Sequence, residues 1–362
     1  MRLYRRKNYE ETVDSDTTRN SNFFSKTIIS EASEIVDDQM DTSIPIDAIR
    51  EAVGFVVADK DSYGLSEVSF NNLQVTSAIP AYEYKDGELN LLREYYPISD
   101  GSQIIALATN VCNDKYTLET ELAKRIDKIG YDDVALIYDS LGVYAFNGKD
   151  AVLLGYSGID SSYRDTIDLS SDFFSVYKIP TADISKCTSL EYNDNNNSLR
   201  TQNYYSCGVS YVPQAPYSNL CWAATVACIK KYLSGIYLTA GDVSMAYFDT
   251  NYVVNSTAYD SQVAGFMQSN YSMSYTYGSS KPSDSAILSN ISNGYPIYGS
   301  FTWSNGRHAA TIYGVNATSG YISVMDPEFG ASSATYNGST YTYVSSYSGV
   351  TLSLDRGICH SW

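Results

Sequence analysis

Histidine is the scarcest reactive residue of this chain, since the 362 residues contain only His308 and His360. Any mechanism that needs an imidazole therefore has two candidates, and His360 lies third from the end, where chains fray. None of the six cysteines forms a Cys-x-x-Cys pair, so a zinc cage is not expected. No apolar run approaches the roughly 18 residues that cross a bilayer, so we expect no membrane-spanning segment.

Basic residues are also scarce, most of all in the second half. Residues 1–200 hold 19 Lys and Arg against 34 Asp and Glu, whereas residues 201–362 hold 5 against 7. The net charge of −17 argues against nucleic acid or an anionic membrane as the main partner. The step in composition predicts a domain boundary, with the Asn-rich stretch Glu191–Arg200 inside the linker.

Four parts are predicted along the chain: a polar segment 1–43, an N-terminal domain 44–190, a linker 191–206 and a second domain 207–362. Periodic apolar residues predict a helix over 44–58 in the N-terminal domain. Strand patterns follow, two of them around the turn signal Asp86–Gly87, and a second helical pattern covers 117–129. We therefore expect an α+β domain with an antiparallel sheet.

The second domain begins with helical patterns and continues with strand patterns after Gly294. Helices are predicted over 221–233, 240–248, 261–269 and 283–292. Strands are predicted over 295–303, 308–315, 321–325, 341–345 and 350–354. Helices first and strands second is again the α+β order.

Cys221 stands where the first of these helices should begin. A thiol there faces unpaired amide groups and the positive end of the helix dipole, which favour a nucleophilic thiolate. The alternative is a buried structural cysteine, which is the interpretation that we give to Cys228 in the middle of the same helix.

His308 and Asp326 are 18 residues apart, with a loop pattern midway between them. A hairpin centred near Thr318 would place residue 310 opposite Asp326 and bring the carboxylate close to the imidazole. Such a carboxylate holds the tautomer and direction of the ring, although a strand-end Asp before Pro327 also serves simply as a turn residue. Gln214, seven residues before Cys221, could donate its side-chain amide to an oxyanion beside the sulfur.

These residues lie in a series of short motifs that resembles the papain-like cysteine peptidases. The motifs are Gln214, Leu220-Cys-Trp-Ala-Ala224, Gly294-Tyr-Pro-Ile-Tyr298, Gly306-Arg-His-Ala-Ala310 and Val324-Met-Asp-Pro327. Within that group the chain is similar to the compact bacterial Cys-His-Asp branch, with its bacteriocin-processing and secreted effector proteases. The resemblance implies a helical lobe packed on an antiparallel sheet, with Cys221 as nucleophile, His308 as general base and acid, Asp326 orienting His308, and Gln214 in the oxyanion hole.

Peptidases of this kind are often made with an N-terminal domain that blocks the cleft, in the manner of streptopain. We therefore expect a zymogen in which residues 1 to about 205 form an inhibitory prodomain that acts within the chain and is removed by cleavage in the linker. The rival hypothesis is a permanent accessory domain.

The expected partner is a peptide or protein substrate, and the chemistry needs no cofactor or metal. Two other functions stay open: an acyl transferase of the transglutaminase type that uses the same triad, and a non-catalytic surface-binding protein on a peptidase fold. The 35 tyrosines favour a secreted or cell-surface protein, although no signal peptide is visible.

Overall fold

The computed structural model describes residues 44–112, 114–157, 164–167, 173, 177, 179–190 and 203–361. The predicted polar segment 1–43 lies outside the described residues, and so does most of the predicted linker, residues 191–202.

The N-terminal half is built from two helices and ten strands within the described residues. Its helices are α1 (Ile46–Val57) and α2 (Glu121–Ile129). Its strands are β1 (Gln74–Thr76), β2 (Ile79–Lys85), β3 (Glu88–Ser99), β4 (Ile104–Cys112), β5 (Lys115–Glu119), β6 (Asp133–Tyr138), β7 (Gly142–Phe146), β8 (Ala151–Tyr156), β9 (Ala182–Asp183) and β10 (Cys187–Ser189). The predicted hairpin is confirmed, because Asp86 and Gly87 both have positive φ angles and join β2 to β3.

Two predictions for this half are wrong in part. The helix predicted over 117–129 begins only at Glu121, and residues 115–119 form β5 instead. These five residues alternate long, aromatic and β-branched side chains, and their pairing with β4 overrides the helical spacing. The sheet is also not purely antiparallel, because β2 and β6 run parallel, with Ala81 opposite Leu136.

The second half contains four helices and eight strands within the described residues, of which six follow the last helix, and the pairs among these strands are antiparallel. The helices are α3 (Cys221–Ser234), α4 (Ala240–Phe248), α5 (Asp260–Tyr271) and α6 (Asp284–Ser292). The strands are β11 (Tyr204–Ser206), β12 (Tyr275–Gly278), β13 (Ile297–Trp303), β14 (Gly306–Asn316), β15 (Tyr321–Asp326), β16 (Gly330–Tyr336), β17 (Tyr341–Val344) and β18 (Thr351–His360). The mixed α+β class is confirmed, whereas β11, β12 and β16 were not predicted, and β11 lies within the predicted linker 191–206.

Strands β14 and β15 form the hairpin that carries the two candidate residues of the sheet. Thr311 lies opposite Met325, so the register runs toward residue 310 opposite Asp326, as predicted. The Asn316 side chain accepts the amide hydrogens of Thr318 and Ser319 and stabilises the turn. The hairpin therefore brings His308 and Asp326 to the same end of the sheet.

The two halves share one hydrophobic core, and Ile44–Trp362 form one compact unit. Ser332 of β16 pairs with Glu119 of β5, and the amide of Leu118 donates to Ser333 Oγ at 2.9 Å. The hydroxyl of Tyr63 donates to the carbonyl of Ser332 at 3.1 Å. The predicted boundary between two separate domains stays a prediction.

No helix within the described part of the chain is long and apolar enough to span a membrane.

Candidate active site

Cys221 is the first residue of α3 and is partly buried. The preceding residue, Leu220, has no side-chain oxygen with which to cap the helix. By contrast, α4 begins with a capping box in which Thr239 and Asp242 satisfy each other's backbone amides. The first amides of α3 therefore have no side-chain acceptor at the helix start, next to Cys221.

The start of α3 is anchored by the residue next to Cys221. Trp222 is 2% exposed, and its indole nitrogen donates to the carbonyl of Ser256 at 2.9 Å. The hydroxyl of Thr225 donates to the carbonyl of Cys221 at 2.8 Å. The following residues as far as Ile229 are all buried, so α3 is a core helix with its first turn fixed on both sides.

His308 and Asp326 are in direct contact inside the protein. Nε2 of His308 lies 3.0 Å from each oxygen of the Asp326 carboxylate. The two residues are only 3% and 0% exposed. The carboxylate therefore fixes both the direction of the ring and the nitrogen that carries its hydrogen.

The pKa of His308 reflects this arrangement. Burial by itself lowers the pKa, but the charge of Asp326 and its hydrogen bond, together with a hydrogen bond and charge from Cys221, raise it well above its usual value. Because Nε2 is occupied by Asp326, Nδ1 is the ring nitrogen that remains for the Cys221 thiol. The geometry thus favours an imidazolium between a carboxylate and a sulfur.

Asp326 accepts hydrogen bonds from two further donors, Glu328 and Tyr343, and the sequence does not predict the second. The amide of Glu328 donates to Oδ1 at 2.8 Å, as expected for an Asp at a turn. The hydroxyl of Tyr343, on β17, donates to Oδ2 at 2.6 Å, and Tyr343 is fully buried. No sequence signal marks Tyr343 among the 35 tyrosines.

Gln214 lies beside this group, in the loop before α3. Its amide donates to the carbonyl of Pro327 at 2.9 Å, which ties its loop to the residue after Asp326. The side chain is 3% exposed, and within the described residues its Oε1 oxygen has no hydrogen-bond partner. The position of Gln214 beside Asp326 is therefore the observation that bears on its predicted role as an oxyanion donor.

The other cysteine of α3 differs clearly from Cys221. Cys228 is buried and lies 3.4 Å from the carbonyl oxygen of Ser210. Burial raises the pKa of its thiol to about 11, which keeps it protonated at neutral pH. Cys228 is thus the structural cysteine that the sequence indicates.

The surroundings of these residues hold a further ion pair. Arg307, next to His308, forms an ion pair with Asp355 at 2.7 Å. Within the described ranges, no group of three or more His, Cys, Asp and Glu residues is arranged to hold a metal ion.

A match to a known family supports a papain-like cysteine peptidase. Residues 205–348 match the family model described as papain-like cysteine protease AvrRpt2. The matched range includes Gln214, Cys221, His308 and Asp326. A search of curated proteins found no match.

The comparison confirms the resemblance at the level of a papain-like cysteine peptidase. The compact bacterial branch and the streptopain-like arrangement stay predictions.

Proposed function

We propose that the protein is a cysteine peptidase in which Cys221 is the nucleophile, His308 the general base and acid, Asp326 the residue that orients His308, and Gln214 an oxyanion donor. The observation that carries this proposal is the buried His308–Asp326 pair with Cys221 on its other side. A histidine with only a structural role does not need a hydrogen-bonded carboxylate on one side and, on the other, a thiol at the start of a helix that has no capping side chain.

The proposed reaction begins with the proton of Cys221 on His308. The thiolate attacks the peptide carbonyl carbon, and the carbonyl electron pair moves to oxygen, where the Gln214 side chain and the Cys221 amide donate hydrogen bonds. The C–N bond then breaks, and His308 gives its proton to the leaving amine. Water loses a proton to His308 as it attacks the thioester, and the acid product leaves with Cys221 restored.

Tyr343 is proposed as a positioning residue in this scheme. It touches no reacting atom, but its 2.6 Å hydrogen bond fixes Oδ2, one of the two Asp326 oxygens that face His308. Its ring packs edge-on against Phe301, with 5.0 Å between ring centroids, so the hydroxyl is held in place by the core. Phe301 lies opposite His308 on the neighbouring strand, which links Tyr343 to both partners of the pair.

The experiment compares Cys221→Ala with Cys228→Ala in the full chain. We expect wild-type protein and Cys228→Ala to cleave casein and to be alkylated rapidly by iodoacetamide at Cys221. Cys221→Ala should lose both properties. The exposed Cys187 supplies the rate of an ordinary thiol in the same sample.

Two outcomes would contradict the proposal. Alkylation of Cys221 no faster than that of Cys187, together with intact casein, would favour a binding protein on a peptidase fold. Incorporation of a labelled amine into casein without chain cleavage would instead favour the acyl transferase.

A further inference from the structure

A cavity of about 1000 Å³ lies between the two halves of the chain. The N-terminal half contributes residues 61–64, the first turn of α2 and residues 153–157, and the second half contributes mainly residues 214–218 and 328–331. This volume is at the upper end of the range of roughly 300–1000 Å³ for sites that enclose one small molecule. The cavity therefore has room for several amino-acid residues.

The cavity adjoins the candidate active site without containing its reacting atoms. Gln214 is part of its lining, and so are Met325 and Glu328 on either side of Asp326, whereas Cys221 and His308 are not. In the proposed reaction the leaving amine departs toward the proton on His308. The cavity lining includes the residues that flank Asp326, the partner of that imidazole, and this is the reason to assign the substrate chain beyond the scissile bond to it.

Contacts between the two halves fix the wall of this cavity. The Arg125 guanidinium donates to the carbonyl of Leu154 and lies over the ring of Tyr347, 4.9 Å from its centroid. A Cβ atom added at Gly155 would lie only 2.6 Å from the Tyr347 ring, so this strand needs a glycine to approach the second half. The wall is therefore built jointly, and the second half alone would not form it.

Side chains of the N-terminal half also offer contacts to a bound chain. Tyr156 lines the cavity and is 69% exposed. Lys124 lines it as well, is exposed, and forms no ion pair within the described residues. Tyrosine rings and a free ammonium group suit a polypeptide, which offers apolar side chains and carbonyl or carboxylate oxygens.

We propose that the N-terminal half stays with the second half in the active enzyme and forms one wall of a subsite for the substrate chain beyond the scissile bond. This inference rests on the proposed peptidase function. It favours the permanent accessory domain over the removable inhibitor. In agreement with it, no hydrogen bond, ion pair or ring contact joins Cys221 or His308 to any described residue of 44–190.

The test uses the full chain and two substrates of different length. The first is unfolded, fluorescently labelled casein, which extends on both sides of the cleaved bond. The second is a short peptide that copies the residues before a mapped casein cleavage site and ends in aminomethylcoumarin, so that no polypeptide extends beyond the scissile bond into the cavity. The double variant Lys124→Ala/Tyr156→Ala is compared with Lys128→Ala/Val152→Ala, whose exposed residues lie on the same helix and strand but outside the cavity lining.

We expect kcat/KM of the double variant on casein to fall about fivefold or more, mainly through KM. Its activity on the short peptide, and both activities of the control variant, should stay within about twofold of wild type. Intact-mass measurement of wild type during the assay should show the uncut chain cleaving casein.

Equal activity of the double variant and wild type on casein would overturn the proposal, and so would activity that appears only after the N-terminal half has been lost. Failure of the peptidase assignment itself gives a different result, since wild type would then cleave neither substrate and Cys221 would not be alkylated selectively.

Discussion

Glu119 is a buried carboxyl group at the joint between the two halves. It is 4% exposed, and its Oε2 accepts hydrogen bonds from Ser346 Oγ at 2.9 Å and from the amide of Leu122 at 3.0 Å. Its Oε1 has no partner within the described residues. Burial raises its pKa to about 7, although these hydrogen bonds act in the opposite direction. The substitution Glu119→Gln keeps the shape of the side chain and removes the titration.

The size and sign of the effect follow from the two pKa values. The folded carboxyl binds its proton up to about pH 7, whereas the unfolded one releases it near its ordinary value of 4.5. The folded state thus holds the extra proton in between, so the free energy of unfolding falls as the pH rises through this window and is flat above it. Between pH 5 and pH 8 the loss is about 2 to 3 kcal/mol. For a cooperative unit as long as Ile44–Trp362, this loss in the free energy of unfolding corresponds to a decrease of about 4 °C in Tm.

The assay is thermal unfolding of wild type and Glu119→Gln at a series of pH values from 5 to 8. Other groups change the stability of both proteins equally, so the difference between their curves isolates Glu119. We expect wild type to lose about 4 °C more than the variant over this range. Parallel curves would refute the reasoning, and two separate transitions, only one of which responds to the substitution, would refute the shared core.

The remaining predictions concern the candidate site. Tyr343→Phe should lower kcat about tenfold with little change in KM, because one hydrogen bond to Asp326 is lost while the ring remains. Tyr341→Phe, on the same strand, is the control. If both variants lower kcat per alkylated Cys221 equally, the role of Tyr343 is structural. Gln214→Leu should lower kcat by about 10² while alkylation of Cys221 stays as fast as in wild type. A loss below about threefold would remove Gln214 from the oxyanion hole.

Much of the candidate site could be predicted from local sequence patterns. The chain has only two histidines as candidates for the general base. The turn around Thr318 sets the register that brings His308 to Asp326. Cys221 stands out because a helix pattern begins at it without a capping side chain. These features depend on neighbours in sequence or on one hairpin.

The rest depends on contacts between segments that are far apart in the chain. Strand β16 is made largely of small and polar residues, and its pattern suggests a loop. In the structure it is buried because β15 pairs with one edge and the N-terminal half supplies partners for Ser332 and Ser333. Tyr343 reaches Asp326 only because β17 pairs with β16, and no spacing in the sequence encodes that contact.

Strand pairing between the halves also changes how a cut chain should be interpreted. A break between residues 190 and 203 would leave the contacts of Glu119, Leu118 and Tyr63 with the second half in place. Two bands on a denaturing gel would then accompany a single peak in gel filtration. For this protein, proteolytic processing and release of the N-terminal half are separate events, and each needs its own measurement.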